Sequence, residues 1–291
     1  MPRDLRLLAG AAGLSALGDF MAVFPLIMHV QQSTGSAFAV SALVFALWGP
    51  VLLAAGLAGA IVDRFENRMV LILVSFAQAA VVAGMVVGAD ELWAVLPLMA
   101  LLGFGVAVSQ PAEFALVPAA AGGGDVARAN GWMETVRSLG FTAGPLLGGA
   151  LGAAGLLQVA LAINALSFVV VGVTALMLRA RRQPVAADHD EPVRARDGFA
   201  FWFRERDLAI VLSGAVAALA VFSISVTAEP FFVTEVLRGG PLAYGVLLTS
   251  WTLGMAAGSG VLAHRVPRAS LAVVGLVAVV LQGAGIAGAA L

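Results

Sequence analysis

The feature that most constrains this chain is a series of uninterrupted apolar runs, each roughly 20 residues long, the length an α-helix needs to cross the hydrocarbon core of a bilayer. Reading for those runs gives nine candidate spans: Leu5–Val30, Ala37–Val62, Met69–Ala89, Leu92–Val117, Ala127–Leu151, Leu156–Leu178, Leu208–Val233, Leu242–Ala263 and Leu271–Leu291. Composition agrees. Hydrophobic residues make up 61% and charged residues 11%, where a soluble domain carries about a quarter charged residues, and the mean hydropathy is +1.00. The 34 glycines suit helices that pack closely in lipid. Arg3 and Arg6 precede the first run in the manner of a signal peptide. That run is too long for a signal h-region and further spans follow, so it reads as a retained first helix.

Charge and composition exclude several functions. The net charge of −1 gives no reason to expect nucleic acid. There is no Cys, hence no disulfide or thiolate metal site. All 16 basic residues are Arg, which excludes a phosphate loop built around Lys. No catalytic triad or metal cluster is visible, so neither an enzyme nor a cofactor is expected. The partners expected are the lipid bilayer, a small-molecule substrate and protons.

Orientation follows from Arg placement. Arg3, Arg6, Arg64, Arg68, Arg128, the cluster from Arg179 to Arg206, Arg265 and Arg268 all fall on one side of a nine-span zigzag. The opposite loops hold Arg238, with Asp90, Glu91 and Glu235. The positive-inside rule places the N-terminus in the cytoplasm of a cell-membrane protein and Leu291 outside. The longest polar stretch, 179–207, then becomes a cytoplasmic connector. It begins Arg179-Ala180-Arg181-Arg182 and passes through Asp188-His189-Asp190-Glu191, read as solvated linker rather than metal site. It ends in an aromatic and charged segment, 199–206, suited to an interfacial helix. The domain expectation is a six-span half (1–178), the connector (179–207), and the first three spans of a second half (208–291).

A short repeat relates the halves. Gly59-Ala60-Ile61-Val62-Asp63-Arg64, with Arg68 following, ends the second span; Gly260-Val261-Leu262-Ala263-His264-Arg265, with Arg268 following, ends the eighth. The first copy resembles the loop signature G-x-x-x-D-R-x-G-R-R of the major facilitator superfamily, with Gly59, Asp63, Arg64 and Arg68 matching, Glu66 in place of Gly and Asn67 in place of a basic residue. The resemblance implies a loop that clamps neighbouring helices. In physical terms, Gly59 would permit close helix approach, and Asp63 would accept from a helix N-terminus or pair with an Arg.

In the fifth span, Gly131, Gly140, Gly144, Pro145, Gly148 and Gly149 fill G-x8-G-x3-G-P-x2-G-G without mismatch. This resembles the motif of antiporters within the same superfamily and implies efflux. Glycines four apart line one helix face, and Pro145 removes a backbone hydrogen bond. Gln110-Pro111-Ala112-Glu113 through Val117-Pro118, Ala129-Asn130, and Asp197-Gly198-Phe199 through Leu208 resemble drug and siderophore exporters.

An ionisable residue inside a span is costly and therefore a candidate for function. Asp19 lies midway along the first span, Glu113 toward the cytoplasmic end of the fourth, and Glu229 before Pro230 toward the outer end of the seventh. In the family that the chain resembles, spans one, four and seven line the central cavity. Asp19 is the leading candidate for proton coupling or for attracting a cationic substrate, with a structural hydrogen bond as the alternative. Glu113 and Glu229 are further candidates for proton coupling or substrate contact, an interfacial position being the alternative; Glu134 and Arg137 read as a local pair one turn apart, and His29 as interfacial. The expected fold is an all-α membrane bundle of the major-facilitator type, with about nine of twelve spans. The expected function is proton-driven efflux of small amphipathic molecules by alternating access. An importer or facilitator, or a truncated non-transporting protein that keeps the fold, remains open; a chain with three spans of the second half is expected not to couple transport alone.

Overall fold

The computed structural model describes residues 1–182 and 226–265, the last nine of these by backbone only. All regular structure among the described residues is helical. The chain divides into two compact units, Met1–Thr249 and Ser250–Leu291, and the site considered below lies within the first. The expected connector beyond Arg182, the seventh span up to residue 225 and the ninth span lie outside the described residues, as does the segment Asp188–Glu191.

Helix α1 (Arg3–Thr34) ends at Gly35, whose φ of 60° is left-handed and whose N–H closes on the Gln31 carbonyl. Such a C-terminal cap favours glycine because it has no Cβ to clash. Helix α2 (Ala37–Leu53) is capped by Ser36, which accepts from the Ala39 N–H. The second span was expected as one helix. It is instead broken at Ala54 into α2 and α3 (Ala55–Arg64), which meet at 52°. Gly49-Pro50 supplies the cause: Pro50 donates no hydrogen bond to the preceding turn and its ring crowds it.

Helices α4 (Asn67–Gly88), α5 (Leu92–Ala120), α6 (Val126–Ala153) and α7 (Leu157–Met177) follow. By length and composition α1, α4, α5 and α7 can each cross a membrane, and the bent α2–α3 pair can act as a fifth span. Helix α6 occupies the expected fifth span, but Arg128, Glu134 and Arg137 make it less apolar. Asp125 caps it by accepting from the N–H groups of Ala127 (2.9 Å) and Arg128 (3.2 Å). Residues 226–231 are helical and run into a π-helical turn, Phe232–Val236. Helix α8 (Pro241–Arg265) covers the expected eighth span.

Helix α1 runs through the middle of the bundle. Its first turns, Leu5 to Ala12, pack in one apolar cluster with the ends of α5 and α7 and with Met133 of α6. Its second half, Ala22 to Val30, packs in another with α2, α4, α5, α7 and Tyr244. Asp19 falls in the interval between them. Large apolar side chains point outward elsewhere: Phe38, Leu53 and Val87 are 83%, 83% and 92% exposed. A surface of this kind is stable against lipid rather than water.

Candidate functional site

Lipid gives helices no hydrophobic reason to associate, so close backbone approach at small residues carries the packing. Helix α6 shows this on two faces. On one, Gly140, Gly144 and Gly148 meet α1. A Cβ at Gly140 would lie 2.5 Å from the Gly13 carbonyl oxygen and 2.7 Å from the Leu17 nitrogen; at Gly144 it would lie 2.7 Å from Phe20 Cβ; at Gly148 it would strike the Met21 carbonyl. On the other face, a Cβ at Gly149 would lie 2.6 Å from the Pro241 carbonyl oxygen, and one at Gly245 would strike the Pro145 carbonyl. Pro145 and the glycines thus seat α6 between α1 and the start of α8. Gly131 is the exception: among the described residues nothing lies within 4 Å of its missing Cβ, because nine residues before Gly140 is the opposite side of the helix.

This packing brings three charges together. Glu113 of α5 and Arg137 of α6 are buried, 5% and 8% exposed, and Arg137 Nη1 donates to Glu113 Oε2 at 3.1 Å. The guanidinium also stands 5.8 Å from the ring centroids of both Phe114 and Phe141, a cation–π distance. Both charges act on Asp19. Asn164 of α7 is the polar neighbour of Asp19, yet Asp19 Oδ1 and Asn164 Nδ2 are both buried without a hydrogen-bond partner among the described residues. The Asn164 side-chain oxygen accepts from Ser167 at 3.1 Å. A carboxylate oxygen left unpaired at this depth can hold a proton or meet a cation.

One expectation is corrected here. Arg137 does not pair with Glu134, which is exposed; it turns inward to Glu113, 24 residues away in sequence. Glu113 is enclosed by neighbouring helices, 5% exposed. Arg137, Asn164 and Phe141 were not foreseen as site residues. Arg137 could have been flagged as a charge within a glycine-rich span, whereas nothing in sequence marks Asn164 or Phe141.

Glu229 belongs to a separate polar group. Its Oε2 is buried and unpaired among the described residues, as is the hydroxyl of fully buried Tyr244, on which the Glu229 charge acts. The Tyr244 ring meets Phe24 edge-on at 5.7 Å. Farther along α1, Gln31 Nε2 donates to Thr234 Oγ1 at 3.1 Å. His29 Nε2 lies 3.1 Å from Asp90 Oδ1.

The loop motif grips the end of α7. Arg68 donates through Nε to the Ala175 carbonyl (2.9 Å) and through Nη2 to that of Leu176 (2.6 Å). These are carbonyls that a helix C-terminus leaves free. Asp63 reaches Arg182 at 3.5 Å and Glu66 reaches Arg181 at 3.7 Å. Asp4 accepts from the N–H groups of Arg179 and Ala180, both at 2.7 Å. Asn67 is fully buried. With its amide turned to satisfy both ends, it donates to the carbonyls of Val62 (2.5 Å) and Phe65 (3.3 Å) and accepts from Arg182 (3.2 Å). Arg64 is exposed. Among the described residues no neighbour lies within 4 Å of the missing Cβ of Gly59. The packed face of α3 carries Ala58 and Val62 instead. Gly260, His264 and Arg265 lie on α8, but their side chains are outside the described residues.

A family model described as Major Facilitator Superfamily matches residues 8–291. Two solved structures share the fold. One is a POT family transporter in complex with a thioalcohol-conjugated peptide, with TM-score 0.55, 12% identity, and coverage of 81% of this chain and 51% of that one. The other is an auto-inhibited POT family peptide transporter, with TM-score 0.52, 16% identity, and coverage of 89% and 54%. The chain therefore spans about half the length of these structures, and at such identities the likeness is one of fold alone. No curated protein matches the chain.

Proposed function

The chain belongs to the Major Facilitator Superfamily as a multi-pass membrane protein, and on that premise we propose that it works as a proton-driven exporter of small amphipathic molecules, of the drug- and siderophore-exporting kind. In this reading residues 1–178 are the first half of an alternating-access transporter, 179–207 a cytoplasmic connector and 208–291 part of the second half. The N-terminus is cytoplasmic, in the cell membrane.

The observation that carries the reading is Asp19, a carboxyl group midway along a central membrane helix with one oxygen buried and unpaired among the described residues. Placing Asp at the centre of a spanning helix costs about 2.5–3.5 kcal/mol, and a proton relay is a use that accounts for that cost. Export, rather than uptake, draws its support from the antiporter-type motif in α6, whose Gly140, Gly144 and Gly148 meet α1 directly below and beside Asp19. Helices in such close contact through glycines can slide without side chains interlocking. The aromatic line Phe141–Phe20–Phe24–Tyr244 gives an apolar guest a surface to lie against.

Efflux from inside-out and right-side-out vesicles, with the pH gradient imposed in either sense, tests this. Substrate uptake into inside-out vesicles acidified within is expected for the full-length protein. Uptake into right-side-out vesicles driven by outside acid would show an importer instead.

A further inference from the structure

A pocket lies away from Asp19, at the end of the bundle where the loop motif sits. Past α7 the chain is extended, with ψ 139° at Leu178, and its side chains alternate. Leu178 and Ala180 are buried, whereas Arg179 and Arg181 are exposed, as an extended segment with one packed face requires. Three hydrogen bonds tether this segment. Asp4 accepts from the N–H groups of Arg179 and Ala180, and the Arg182 carbonyl accepts from the Asn67 N–H at 3.2 Å. Between the tethered arginines and the last turns of α5 is a pocket of about 540 Å³, lined by Ala115, Pro118, Ala119, Arg181 and Arg182. Such a volume is ordinary for a small-molecule site.

We propose that this pocket holds an anionic phospholipid of the leaflet at that end of the bundle. Its phosphate lies on Arg181 and Arg182, and its glycerol and first acyl carbons lie against Ala115, Pro118 and Ala119.

The charge favours an anion. Segments 63–68 and 179–182 carry Arg64, Arg68, Arg179, Arg181 and Arg182 against Asp63 and Glu66, and Asp4 is spent on backbone N–H groups. The two lining guanidiniums also have donors to spare. Arg181 approaches Glu66 through Nε at 3.7 Å, beyond hydrogen-bond length. Arg182 reaches Asp63 through Nη2 at 3.5 Å and meets Asn67 through Nη1. A guanidinium fork grips two phosphate oxygens at once. The α5 wall, in contrast, offers no polar side chain. A free phosphate would leave that wall bare, and a lipid covers it; basic pockets at the cytoplasmic ends of membrane helices take lipid head groups in this way. The tethers set the arginines in place before the lipid arrives, which lowers the ordering cost of binding. Lipid held there requires only that the helices sit in a bilayer, whichever way substrate moves.

Native mass spectrometry tests this on the full-length protein in detergent, titrated with phosphatidylglycerol or with phosphatidylcholine of the same acyl chains. One phosphatidylglycerol is expected to stay bound at concentrations where phosphatidylcholine does not. Arg181→Gln should weaken that binding about fivefold, equivalent to ~1 kcal/mol. Arg181 is exposed, so folding should survive, as a single size-exclusion peak would verify. Ala119→Trp fills the pocket while keeping both arginines and should weaken binding at least as much. Arg128→Gln, exposed and outside the lining, should leave it unchanged. Equal losses in Arg181→Gln and Arg128→Gln, or no loss in Ala119→Trp, would mean attraction to charge without a site. Equally tight binding of soluble glycerol 3-phosphate would mean a free-anion site. Lipid binding that appears only when Asp188, Asp190 and Glu191 are replaced by Asn, Asn and Gln would put the chain's own acidic segment in the pocket. Each of these results overturns the proposal.

Discussion

At the scale of single residues, the ion pair between Arg137 and Glu113 should matter differently for stability than Asp19 does. Removing one partner of a buried pair strands the other, at about 3–5 kcal/mol. Arg137→Met is therefore expected to lower the thermal unfolding temperature in detergent sharply. Asp19→Asn, which replaces an oxygen without a hydrogen-bond partner among the described residues, should leave it nearly unchanged. Equal losses in the two variants would show that Asp19 is held structurally after all. Asp19 was legible in the sequence because a carboxylate in an apolar run has no local explanation. The Arg137 partner was not. Three residues of separation made Glu134 the natural choice, and only the packing of α6 against α1 and α5 decides which side of the helix faces in. Asn67 shows the same limit. It departs from the loop signature, where a basic residue is usual, yet it is fully buried and ties Val62, Phe65 and Arg182 together.

At the scale of elements, the glycines of α6 make a contrast that sequence alone could not draw. Gly148→Leu should disrupt the bundle, since even a Cβ there strikes the backbone of Met21, and the yield of folded protein by size-exclusion chromatography should fall. Gly131→Ala belongs to the same motif but meets nothing among the described residues. It should be neutral or stabilising by about 0.5–1 kcal/mol through helix propensity, read as a small rise in unfolding temperature. If both substitutions behave alike, the motif acts through something other than close approach. The spacing of four revealed one face of α6. The second face, where Pro145 and Gly149 receive Gly245, needed the partner helix to become visible. The break at Ala54 had its cause in plain sight at Gly49-Pro50, but hydropathy runs straight through a bend and does not register it.

At the scale of the whole molecule, the apolar runs and the Arg asymmetry fixed the class, because a bilayer limits helix length and charge placement far more strictly than water does. Reporter fusions should place Asp90, in the turn after α4, outside and Gly122, in the turn after α5, inside; the reverse would invert the topology and the direction of transport with it. The central claim is that a proton carried by Asp19, midway along α1, drives movement of substrate. Its most direct test is proton flux into proteoliposomes containing the full-length protein and a pH-sensitive dye in the lumen, recorded when substrate is added on one side with no gradient imposed. The account predicts a substrate-dependent pH change in the unaltered protein that disappears in Asp19→Asn while substrate binding, by thermal stabilisation, persists. A pH change of undiminished size in Asp19→Asn would contradict it.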